Sequence, residues 1–149
     1  MLASVLIIGI STILFLYWFR YTCALILSTK TAKDYTRQVA ATNQLCFLAV
    51  QEALADQPLN LEPLRESLDQ DYKVVTYLNR NTGEADTLVL EQWMLKADFH
   101  LMRGWYSVVR SVSEGQARGA LGEMAQIVGH FANAFGERTA TASASAASA

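Results

Sequence analysis

Residues Leu2 to Phe19 read LASVLIIGISTILFLYWF, eighteen positions without a charge. No other stretch limits the chain so strongly. At the rise of an α-helix this run covers roughly 27 Å, close to the hydrocarbon thickness of a bilayer. The run is too long for a signal-peptide core. It ends in Tyr17, Trp18 and Phe19 and is followed by Arg20 and Tyr21, where a cleavage site would need small residues. An uncleaved transmembrane anchor over residues 1–28 is therefore expected. Tyr17, Trp18 and Tyr21 have the character of an interfacial aromatic belt, and Arg20 can snorkel to the headgroups. These four residues are the expected membrane interface. Arg20, Lys30, Lys33 and Arg37 lie at one end of the run, with only the terminal amine at the other. The positive-inside bias then predicts a single-pass protein with its amino terminus outside and the rest of the chain in the cytoplasm.

Neither Gly nor Pro occurs from Ser11 to Gln57. A helix could thus leave the membrane and continue over 31–57, with Ser28 and Thr29 the favoured place for a bend. Tyr35, Val39, Thr42, Cys46, Ala49 and Ala53 would form its apolar stripe, widened by Leu45, Phe47, Leu48, Val50 and Leu54. Asp56-Gln57-Pro58 ends this stretch. Asn60 is a good N-cap for a helix over 60–79, with Pro63 in its first turn and a staple formed by Leu59 and Leu64. Leu61, Leu64, Leu68, Tyr72, Val75 and Leu78 recur at spacings of three and four, the period of an amphipathic helix. After the turn residues Asn79 to Gly83, Asp86 or Thr87 caps a helix over 87–113. Its apolar face is Leu88, Leu95, Phe99, Met102, Tyr106 and Val109, broadened by Met94, Leu101, Trp105, Val108 and Val112. A last helix over 114–136 buries Ala117, Leu121, Met124, Val128, Phe131 and Phe135. From Thr139 the chain is Ala, Ser and Thr only, and a disordered tail over 138–149 is expected. The fold class is therefore all-α: one transmembrane helix, then a small bundle of about four helices over 29–137, with antiparallel neighbours joined by short connections.

Chemistry-bearing motifs are sparse. His100 and His130 fall on different helices and outside any metal-ligand spacing, and there is no CxxC, P-loop or GxSxG. Cys23 and Cys46 would be roughly 34 Å apart on one helix, so no internal disulfide is expected. No catalytic, cofactor-binding or metal-binding residue is assigned. A net charge of −2 argues against nucleic acid as a partner. Two features point to contacts instead. Lys96, Arg103 and Arg110 form a basic stripe that could meet anionic lipid or an acidic partner. Gly115, Gly119, Gly122, Gly129 and Gly136 fall on a side of the last helix away from its apolar face. Mid-helix glycines are costly, so this side is expected to pack closely on another backbone.

The expected partners are the lipid bilayer and another protein or a second copy of the chain. The favoured function is a membrane-anchored, non-enzymatic scaffold or accessory subunit of a membrane assembly. Two other classes are a membrane-surface regulator acting through the basic stripe, and an enzyme or cofactor-binding bundle using His100, His130 or the tryptophans.

Overall fold

A computed structural model describes residues 1–29, 33–56, 60–82 and 89–148. The described chain is all-α: α1 (Leu2–Ser28), α2 (Thr36–Asn43), α3 (Phe47–Ala55), α4 (Glu62–Asn81), α5 (Val89–Val109) and α6 (Glu114–Ala147). The proposed staple residue Leu59, the turn residue Gly83 and the cap positions Asp86 and Thr87 lie outside the described residues.

Helix α6 is the centre of the body, in contact with each of the other five helices. Its buried set is wider than one stripe. Ala120, Ala125 and Ala132 join the expected Ala117, Leu121, Met124, Val128 and Phe131, so small side chains let neighbours approach on additional faces, while Phe135 is only partly buried. Helix α4 contributes Leu68, Tyr72 and Val75, and α5 contributes Leu95, Phe99, Met102, Tyr106 and Val109, all buried as their spacing predicts. The rings of Tyr72 and Phe99 stack with centroids 3.9 Å apart and join α4 to α5. Buried Asn79 donates through Nδ2 to the carbonyls of Val75 and Phe131, both at 3.0 Å, and ties α4 to α6. The N-cap of α4 is Leu61, one residue after the expected Asn60, whose Oδ1 still accepts the Glu62 N–H at 3.1 Å.

The expected continuous helix over 31–57 is instead two short helices. Helix α1 ends at Ser28, where Thr29 turns extended with φ −66° and ψ 119°. Helix α2 ends at Gln44, whose φ of 54° is left-handed, the only such non-glycine among the described residues. The cause lies on another element. Buried Asp71 of α4 accepts the Cys46 N–H at 2.7 Å and holds the start of α3. An unpaired carboxylate at that depth would be costly, and the free amide of a new helix start satisfies it. The break changes the phase of the apolar face. Val39, Ala40, Phe47 and Val50 are buried, whereas Thr42, Cys46 and Ala49 of the expected stripe are exposed.

The carboxyl-terminal segment also differs from expectation, because α6 continues to Ala147 rather than giving way to a disordered tail at 138. Alanine carries the highest helix propensity. The hydroxyls of Thr139, Thr141, Ser143 and Ser145 bond back to carbonyls three residues earlier, and so do not compete with the helix.

Candidate functional site

Helix α1 is the one helix among the described residues long and apolar enough to cross a membrane. Its residues Met1 to Trp18 are exposed, while Phe19, Ile26 and Leu27 pack against the body and Cys23 is fully buried. Arg20 is the only charged side chain in α1. Its guanidinium turns toward the body. It forms a fork on Glu123 of α6, with both N–O distances 2.6 Å. Nη1 also reaches Asp98 Oδ1 of α5 at 3.0 Å and Met102 Sδ at 3.1 Å. One arginine thus joins three helices. Two carboxylates against one guanidinium leave the cluster with one excess negative charge. Burial, followed by the proximity of Glu123, pushes the Asp98 carboxyl up to about 6, against the opposing pull of Arg20. Asp98 Oδ2 is buried without a hydrogen-bond partner among the described residues, which favours the neutral acid there.

These contacts fix the register of α1. The Cys23 thiol lies 3.9 Å from the carbonyl of Met94, and Arg20 meets Asp98 and Met102. Leu16 shares a cavity of about 490 Å³ with Leu101, Trp105 and Gly119. Lower numbers on α1 match higher numbers on α5, so the two helices run antiparallel. A second cavity, about 510 Å³, lies along α1 where Ala24 and Leu27 face Gly122 and Gln126.

The glycines of α6 divide by neighbour. A Cβ at Gly115, Gly119 or Gly122 would meet nothing within 4 Å, so nothing in the described chain packs closely on these three. At Gly129 it would lie 3.3 Å from the ring of Phe47 in α3. At Gly136 it would overlap Tyr35 Cβ and stand 3.0 Å from Val39. The Tyr35 N–H is also held by Asn133 Oδ1 at 2.8 Å, which seats the start of α2 on α6. Among these glycines, close approach occurs only at Gly129 and Gly136, where α6 receives α3 and the start of α2.

The basic stripe is largely neutralised. Arg103 pairs with Asp69 at 3.3 Å and Arg110 with Glu62 at 2.9 Å, both on α4. Only Lys96 of the three has no ion pair among those described. His100 stands edge-on to Tyr72 and Phe99, and His130 lies beside Phe131. Burial holds His130 below the usual histidine range. Among the described residues, no three His, Cys, Asp or Glu side chains gather as metal ligands would.

Helix α5 carries a second apolar face. Leu90, Trp93, Leu101, Trp105 and Val108 are exposed, at spacings of three, eight, four and three, and Val112 is exposed in the turn that follows α5. At 100° per residue this face is roughly 120° from the buried one and nearly opposite Arg103 and Arg110. Of the broadening residues of the sequence pattern, Leu101, Trp105, Val108 and Val112 are thus a separate surface, while Met94 packs against the core. No protein-family model matches the chain, and no curated protein or solved structure matches it significantly.

Proposed function

We propose that the protein is a membrane-anchored, non-enzymatic scaffold or accessory subunit that presents α5 to a protein partner in a membrane assembly. The observation that carries this is the second apolar face of α5. A single helix buries Leu95, Phe99, Met102 and Tyr106 in the body and leaves Leu90 and Trp93 open to solvent. Exposed apolar patches of this kind, rimmed by polar residues, are typical of protein contact sites. Leu90 and Trp93 lie at the end of α5 level with Cys23 and Met94, the docked part of α1. Arg20, clasped by Asp98 and Glu123, joins the anchor firmly to the body, so a partner bound there would be held at a set distance from the bilayer. The earlier alternative, a regulator acting through Lys96, Arg103 and Arg110, is weakened by the two internal ion pairs.

The test is purification of the full chain in mild detergent, as the native sequence and as Trp93→Ala combined with Leu90→Ala. The native chain should retain a stoichiometric protein, either a different chain or a second copy. The variant should lose it while keeping its helical circular dichroism. Equal recovery of the same proteins by both forms would remove the α5 face as the docking surface.

A further inference from the structure

The antiparallel register of α1 and α5 sets a level for each residue of α5 relative to the membrane. The apolar run of α1 closes at Arg20, its first charge, with Tyr17, Trp18 and Tyr21 exposed around it. Trp and Tyr at the end of a span mark the headgroup level. Arg20 bonds Asp98, Met102 and Glu123, so these three stand at that level too. From there α5 runs toward the bare part of α1. Trp105 shares the cavity of Leu16 and Arg20. Val108 lies about 9 Å further along the axis of α5 than Met102, counted at helical rise, and Val112 follows in the turn after α5. They are 65% and 85% exposed. Trp93 lies at the other end, about 18 Å from Trp105 along α5.

From this geometry we infer that the carboxyl-terminal end of α5 is seated in the headgroup–acyl boundary of the bilayer that α1 crosses. Trp105 completes the aromatic belt begun by Tyr17, Trp18 and Tyr21, and Val108 and Val112 reach the acyl chains. The charges of this end are placed accordingly. Arg103 and Arg110 face α4, on the side of α5 opposite the valines, and are paired with Asp69 and Glu62. The lipid surface is the one occupant that must be present at this level if α1 spans. A protein partner therefore takes the Leu90 and Trp93 end, and lipid takes the Trp105 end. The inference rests on α1 as a span, which the test below reads separately through Trp18.

The chain has three tryptophans, Trp18, Trp93 and Trp105. Full-length variants retaining one each, with Phe at the other two positions, are reconstituted into phosphatidylcholine vesicles. Some vesicles carry bromine near the headgroup end of the acyl chains. Trp18 and Trp105 should be quenched to similar extents, about threefold or more beyond Trp93, as expected of one interfacial level. Quenching of Trp18 with Trp105 as protected as Trp93 would overturn the inference while leaving α1 a span. Protection of both Trp18 and Trp105 would overturn the span and the inference together. Equal quenching at Trp93 and Trp105 would overturn the assigned level. As a second measure, Val112→Cys in a Cys46→Ser chain carries an environment-sensitive fluorophore. Its emission should shift to the blue on reconstitution, and an aqueous spectrum would overturn the proposal.

Discussion

Arg20 shows how one charged residue in an apolar helix can act as a joint. Its fork on Glu123 and its bond to Asp98 are charge-assisted, and Asp98 is fully buried. Removing the arginine leaves two facing carboxylates. Arg20→Ala should therefore lower stability in detergent by about 2–3 kcal/mol, below the usual cost for breaking a buried pair because about a third of Arg20 stays exposed. The raised Asp98 carboxyl gives a pH dependence of definite sign. The folded chain holds a proton that the unfolded chain releases above about 4. The stability contributed by this proton is full below that value and is lost as pH rises through about 6. Asp98→Asn should flatten this slope relative to the native chain between those limits, measured by thermal unfolding across buffers. An unchanged difference between the two would place the titration elsewhere. The glycines give a second residue-scale contrast. Gly122 faces open space, so Gly122→Ala should stabilise the helix by about 0.5–1 kcal/mol. Gly136→Ala meets Tyr35 Cβ and should cost about 1–3 kcal/mol, since that atom moves only with its backbone. The same sign at both positions would contradict the packing described.

Among the elements, α4, α5 and much of α6 were legible from apolar periodicity, because Leu68, Phe99 and Leu121 sit in stripes that a period of 3.6 makes visible. The two faces of α5 merged into one broad face in the sequence, since periodicity cannot tell a core stripe from an adjacent surface stripe. The break between α2 and α3 had no local signal, as no Gly or Pro is present. It is dictated from α4, by the Asp71 carboxylate on the Cys46 amide. The Arg20 partners were equally hidden, lying 78 and 103 residues away. If Asp71 makes the break, Asp71→Ala should cost about 1–2 kcal/mol, the worth of a helix cap. Gln44→Gly should instead stabilise by about 0.5–1 kcal/mol, since glycine adopts the left-handed conformation without the Cβ clash. Chemical denaturation of the two variants checks the pair. Destabilisation by Gln44→Gly would mean that the side chain, rather than the backbone turn, is what matters at this position.

At the scale of the whole molecule the open question is which side of the membrane the body occupies, and two native cysteines can answer it. Lys30, Lys33 and Arg37 follow the apolar run together with Arg20. Orientation follows Lys and Arg near the ends of a span, with Asp and Glu contributing little. The pairing of Arg20 with Asp98 and Glu123 does not cancel its weight, because both carboxylates enter from residues that follow the anchor by many tens of positions. The expected orientation is thus body inside. Cys46 is exposed at the start of α3, and Cys23 is buried between α1 and α5. A membrane-impermeant maleimide added to intact cells expressing the full chain should therefore leave the protein unlabelled. Permeabilisation should then label Cys46 alone, as a Cys46→Ser chain will confirm by staying unlabelled, and denaturation should add Cys23. Labelling of Cys46 before permeabilisation would place the body outside. It would also move any partner of the Leu90 and Trp93 surface to that side, while leaving the level of Trp105 relative to the bilayer unchanged.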